Sequence, residues 1–267
     1  MQKKARFGRM HDFMGRDKRK PASVIKSPMP ATDHSQSNKK GAVLITGTDS
    51  GLGLAFVRKF LSENWIVFAG WIVSDSPVTN IDNPALFPVI LDVTDLQSIK
   101  AARNEILKHT RSLDILINNA GINPDKDITL EKLEFDMVQQ VLDVNAVGPL
   151  RVTQQFVGLL RKGSYKRIVN ISSEAGSIID CRRKSWFGYS MSKAALNMQT
   201  RLLQNYLGPK GFSVYSAHPG WMRSGMGSPL AAFAPRESAD RLYESITGPG
   251  NDDTPQFFQL DGESMRW

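Results

Sequence analysis

From Gly41 onward, short apolar runs rich in β-branched residues alternate with longer stretches whose apolar residues recur at helical spacing. The runs are AVLIT (42–46), WIVFA (65–69), FPVIL (87–91), LDILIN (113–118), RIVNIS (167–172) and FSVYSAH (212–218). A late FFQL (257–260) is a candidate seventh strand, and helical spacing appears near 52–62, 95–109, 135–161 and 188–208. Strands that are apolar throughout offer no polar face to water. Separated by helices, they predict a parallel sheet covered on both sides. The expected fold class is α/β: one doubly wound Rossmann-type sheet of about seven strands over 41–267, with helices on both faces. The longest apolar run, around Trp65–Val73, is far shorter than the roughly 20 residues of a spanning helix, so no membrane partner is expected.

Charge changes this picture only at one end. The chain carries 34 Lys+Arg against 26 Asp+Glu, a net charge of +8. Residues 1–40 hold 11 of the basic and 3 of the acidic groups, which accounts for the whole excess. The remaining 227 residues are neutral, with 23 of each sign, which argues against a basic face that tracks nucleic-acid phosphates. Residues 1–40 are basic and broken by Pro21, Pro28 and Pro30, and read as a disordered tail. The same composition fits sequence upstream of a later start at Met10, Met14 or Met29; an electrostatic tether to an acidic partner or membrane surface is the alternative. The only cysteine, Cys181, excludes an intrachain disulfide, and no apolar leader is visible, so the cytoplasm is the expected compartment. The four histidines (His11, His34, His109 and His218) have no metal-ligand spacing, and no metal is expected.

Candidate chemistry begins after the first run, at Thr46-Gly47-Thr48-Asp49-Ser50-Gly51-Leu52-Gly53. Gly47 permits a sharp turn, Gly51 lets backbone approach a pyrophosphate, and Gly53 allows close helix–sheet packing. The following helix presents N–H groups and positive dipole to the anion. An acidic residue about 20 residues on would select NAD, but Gly70-Trp71 stand there. Neither position offers a cation for a 2′-phosphate, and Asp49 offers a carboxylate, so the lean between NAD and NADP is toward NAD.

Tyr189 and Lys193 are four apart on a helical stretch and therefore share a face. A phenol has a pKa near 10, too high for acid/base work at neutral pH unless a neighbouring ammonium favours the phenolate. Such a pair suits a proton donor to a developing alkoxide. Ser172-Ser173 and Asn118-Asn119-Ala120-Gly121 end the fifth and fourth strands, where the sheet's carboxyl edge faces a ligand crevice. Asn145 lies in mid-helix, either as a functional group or as a buried side chain bonding backbone.

Together these stretches resemble the classical short-chain dehydrogenase/reductase family over essentially all of 41–267, and within it the C-factor and sniffer-type carbonyl reductases. The matching segments include YSMSKAALNM (189–198), HPGWMRSGMG (218–227) and FFQLDGESMRW (257–267). The resemblance implies an NAD(P)-dependent oxidoreductase moving hydride between a nicotinamide and a small carbonyl or alcohol. It implies that Tyr189 is the acid/base, that Lys193 lowers its pKa and bonds the ribose, that Ser173 orients the carbonyl, and that Asn145 holds a relay water. Cofactor contacts would come from Thr46, Gly47, Ser50, Gly51, Leu52, Gly53, Trp71, Asp92, Val93, Asn119, Ala120, Gly121, Tyr189, Lys193, Pro219, Gly220, Met222 and Ser224. It also implies a homodimer or homotetramer through the helices near 135–161 and 188–208. A dinucleotide-binding regulatory protein with little turnover is the alternative. Between Ser173 and Tyr189 lies Asp180-Cys181-Arg182-Arg183-Lys184, either an attractor for anionic substrates or a solvated loop face.

Overall fold

The structure, a computed structural model, describes residues 39–227, 230–249 and 256–267. Residues 1–38, which carry almost all of the basic segment, lie outside them.

Seven strands form one parallel sheet: β1 (Ala42–Thr46), β2 (Ile66–Trp71), β3 (Leu86–Ile90), β4 (Ile115–Asn118), β5 (Arg167–Ile171), β6 (Ser213–Ala217) and β7 (Phe257–Phe258). Their order is β3-β2-β1-β4-β5-β6-β7, with every neighbouring pair parallel. Among the described residues six α-helices accompany the sheet: α1 (Gly51–Ser62), α2 (Leu96–Ile106), α3 (Phe135–Leu142), α4 (Gly148–Leu160), α5 (Phe187–Leu207) and α6 (Pro235–Thr247).

Alternate residues of each strand face opposite cores. Val43, Ile45, Val67, Ile117, Val169 and Ala217 pack against α1 and α6 through Phe56, Phe60, Leu242 and Ile246. Ala42, Leu44, Phe68, Leu116, Ile168 and Val214 pack against α2 and α4 through Ile99, Ile106, Phe156 and Leu160. Pro88 is tolerated in β3 because β3 is an outer strand with one unpaired edge. The chain order reverses between β1 and β4, and this switch point opens a crevice beyond the strands' carboxyl ends.

Three details go beyond the apolar patterns. The helical stretch at 135–161 is uninterrupted, but it widens to a π turn over Asp143–Val147 between α3 and α4. Pro149 has no N–H to donate back to residue 145, and the ladder widens just before it. Helix α6 was not anticipated, because Pro-Arg-Glu-Ser-Ala-Asp-Arg is polar; its apolar face is set by Ala239, Leu242, Tyr243 and Ile246 against α1. The seventh strand is confined to two residues, since Gln259 turns away to pair with Glu263.

Candidate active site

The loop after β1 is stitched to the loop after β4. Buried Thr46 accepts from the Asn119 and Ala120 N–H groups through Oγ1 at 3.0 and 3.1 Å. Asn119 Nδ2 donates to the Thr46 and Gly47 carbonyls at 2.9 Å each. Thr46 and Asn119 thus hold the loop in shape from behind. Gly47 sits at φ +67°, where a Cβ would lie 2.7 Å from Ala120 Cα, so no larger residue fits. At Gly53 a Cβ would strike the Gly47 carbonyl oxygen at 2.1 Å, which is the close helix–loop packing anticipated for the third glycine.

Gly51 behaves differently. A Cβ there would meet nothing nearer than Ser224 Cβ at 3.9 Å, so its backbone faces open space. Ser50, the N-cap of α1, makes no side-chain cap bond, which leaves the first-turn N–H groups of Gly51, Leu52 and Gly53 uncapped by it. An open, glycine-walled helix N-terminus fits the pyrophosphate of a dinucleotide. The β6 connection closes over it: buried Pro219, Gly220 at φ +70° with a Cβ 2.7 Å from Leu260, Met222 bridged to Phe233, and Ser224 accepting the Gly227 N–H.

Asp49 reaches across to β2. Its Oδ1 accepts from the N–H groups of Ile72 and Val73 at 3.2 and 3.0 Å, placing a carboxylate just past Trp71. Asp92 accepts from the Thr94 N–H and hydroxyl at 2.9 and 2.7 Å, and Val93 is buried against Gly148. Trp71 ends β2, and Asp92 and Val93 follow the edge strand β3, on the flank of the crevice away from Tyr189.

The second flank gathers around α5. Asn145, wholly buried in the π turn, accepts the Ile122 N–H at 2.8 Å and donates to the Ile122 carbonyl at 2.9 Å and Ser192 Oγ at 3.0 Å. A Cβ on Gly121 would lie 3.3 Å from Asn145 Oδ1 and 3.7 Å from Lys193 Nζ, so these three residues converge. Lys193 Nζ donates to the Ile171 carbonyl at 2.8 Å and stands 5.5 Å from the Tyr189 ring centre.

Burial dominates the titration here. It pushes the Tyr189 phenol up to about 12, opposed by a hydrogen bond with Ser173. It pushes the Lys193 ammonium down to about 8. The expected lowering of the phenol by Lys193 is not found: removal from water raises the phenol, and the hydrogen bond with Ser173 is the main effect that opposes it. Ser173 Oγ also accepts from the Ala175 N–H at 3.1 Å, which fixes its rotamer at the end of β5.

Sequence reading passed over one neighbour of the phenol, Trp186, and left the role of the basic run beside it open. Trp186, at φ +66°, lies edge-on to Tyr189 with ring centres 5.7 Å apart. Arg183 stacks over the Trp186 indole at 3.9 Å and pairs with Glu174. Arg182 donates to the Ile179 and Cys181 carbonyls of its own loop at 3.4 and 3.1 Å. Arg182 and Arg183 thus make local contacts, and Cys181 is an exposed free thiol. Among the described residues, no group of three or more His, Cys, Asp or Glu is placed to hold a metal, and no helix is long and apolar enough to cross a membrane.

A doubly wound sheet with an open glycine loop at its switch point and a buried Tyr–Lys pair opposite defines a dinucleotide-dependent oxidoreductase. The profile of the short chain dehydrogenase family matches residues 41–234, and the chain belongs to that family. The C-signal of Myxococcus xanthus is 34% identical over 158 residues, covering 59% of this chain and 95% of that protein. An NADPH-bound carbonyl reductase from chicken fatty liver superposes with TM-score 0.78 at 31% identity, covering 86% of this chain and all of that one. The carbonyl reductase Sniffer of D. melanogaster gives TM-score 0.79 at 25% identity, covering 85% and 99%. The NADPH in the chicken structure gives the lean toward NAD no support.

Proposed function

We propose that this chain reduces a small carbonyl compound, with Tyr189 as the proton donor. The carrying observation is the buried phenol beside Ser173, opposite the open loop at Gly51. A bound nicotinamide dinucleotide supplies the hydride. The chain's own residues do the rest. At neutral pH the Tyr189 phenol is protonated, so it is ready to donate to the carbonyl oxygen as negative charge develops there. Ser173 holds that oxygen with its hydroxyl, and Lys193 adds positive charge on the same side. Asn145 is the anchor that fixes Ser192 and Ile122 behind the pair and, with them, the relay position. The loop residues Gly47, Gly51 and Gly53 cradle phosphate, and the β6 connection with Pro219, Met222 and Ser224 covers it.

The coenzyme proposed is NADH rather than NADPH. Asp49 fixes a carboxylate beside Ile72 and Val73, where β2 ends, and Ser50 supplies no cation. A 2′-phosphate there meets like charge. Self-association is proposed through α5, whose Met191, Met198, Leu202 and Tyr206 form one exposed apolar stripe, with Val147 and Leu150 beside α4.

Titration of the protein with NADH and NADPH, followed by fluorescence, is the first test, and tighter NADH binding is expected. A preference for NADPH reassigns the β2 end to a phosphate. A carbonyl screen then uses the coenzyme that binds. Tyr189→Phe is expected to bind that coenzyme as the parent does while turnover falls about 10²–10⁴-fold. Undiminished turnover sinks the mechanism, and binding without turnover in the parent favours a regulatory role.

A further inference from the structure

Helix α5 carries both Tyr189 and Lys193, yet it starts without a cap of its own. Its N-cap residue is Trp186, which makes no side-chain cap bond and whose indole has only a donor. The first N–H groups of a helix need acceptors, ordinarily a Ser, Thr, Asp or Asn at that position. The acceptor comes instead from the connection after β4. Asp125 Oδ2 accepts the Gly188 N–H at 2.7 Å, and Asp125 Oδ1 accepts the Tyr189 N–H at 3.3 Å. The carboxylate is 1% exposed, and among the described residues it has no ion-pair partner. Its negative charge lies at the positive end of the helix dipole, where it is stabilised and shortens the slack in the first turn.

The next residue extends the tie. Lys126 Nζ donates to the Gly227 carbonyl at 3.0 Å and lies 5.9 Å from the Trp186 ring, while its carbonyl accepts from Ser185 Oγ at 3.5 Å. One dipeptide therefore joins the β4 connection, the start of α5 and the segment after β6.

We infer that Asp125 is a positioning residue for the acid/base: by capping α5 from a distant loop it fixes the first turn and hence the direction of the Tyr189 phenol. This rests on the assignment of Tyr189 as proton donor. Two variants of the full chain test it, Asp125→Ala and Asp125→Asn. The alanine variant is expected to lose about 10–100-fold in kcat, the usual effect of a slightly misplaced group, with coenzyme Kd within about twofold of the parent. Amide hydrogen exchange at Gly188 and Tyr189 should quicken at both residues. The asparagine variant keeps one accepting oxygen, so one amide stays protected and kcat falls between alanine and parent.

Parent-like exchange and kcat in both variants overturn the inference. So does an asparagine variant that matches alanine while coenzyme binding falls in step, which marks a general structural role. If the alanine variant does not fold, parent-like exchange at both amides in the asparagine variant is decisive against it. Should the parent turn over no carbonyl at all, the assignment of Tyr189 fails, and amide exchange still decides whether Asp125 caps the helix.

Discussion

Around the site, side chains are defined by how little water reaches them. His218 shows the consequence for stability. Its Nδ1 is buried without a hydrogen-bond partner, and burial pushes the imidazole down to about 4. The unfolded chain takes up that proton near 6.5, so between about 6.5 and 4 the unfolded state binds more protons than the folded one. Stability from this group is complete above 6.5 and is lost as pH falls toward 4. Replacing His218 with Asn should shrink the drop in unfolding free energy between pH 7 and pH 4.5 by about 2 kcal/mol, measured by denaturant titration at both values. An equal drop in both proteins contradicts the burial argument. The grouping at this scale was legible: the sequence singled out Tyr189, Lys193, Ser173 and Asn145, and the structure brings them to one flank of the crevice. Their titration was not. The ammonium's proximity suggested a lowered phenol, and only the burial of both groups shows that desolvation wins. Asp125 was invisible for a related reason: a cap 63 residues away from the amide it serves leaves no local spacing to read.

Elements in this fold are closed by contacts that run far along the chain. Arg167 opens β5, yet it is buried and donates to the Ile246 and Gly248 carbonyls at the end of α6, the second at 2.6 Å. A cation at a helix C-terminus is favourable in the dipole field and satisfies carbonyls that the helix leaves open. Arg167→Ala should therefore cost about 1–3 kcal/mol of stability, with faster amide exchange confined to the last turn of α6. Uniform loosening of the sheet instead would show that Arg167 acts through β5. Element existence was largely readable: β1, β4, β5, α1 and α5 fall within a few residues of their apolar patterns. The π turn in 135–161 and the presence of α6 were not. Pro149 removes a ladder donor there, and Asn145, inside the π turn, bonds the Ile122 backbone. The apolar face of α6 has meaning only opposite α1.

For the molecule as a whole, the largest unexplained exposure is the stripe along α5. Met198, Leu202 and Tyr206 are each at least 60% exposed, more apolar surface on one helix face than water favours. Met198→Glu combined with Leu202→Glu should convert a self-associated species to a monomer by light scattering, with each subunit still folded. A monomeric parent removes the proposal. The short chain dehydrogenase match, 41–234, covers strands β1 to β6 and ends as α6 begins, leaving β7 outside it.

The sequence by itself determined the class: strands apolar on both faces require helices on both sides, and a glycine loop after the first strand places the ligand at the carboxyl edge. That information is local, carried by period and by residue type over a few positions. Tertiary structure alone decided which carboxylate caps α5, how β2's end meets Asp49, and how far burial moves Tyr189 and Lys193. Each of these depends on desolvation and on hydrogen bonds between residues separated by tens of positions, and neither quantity exists until the chain has closed on itself.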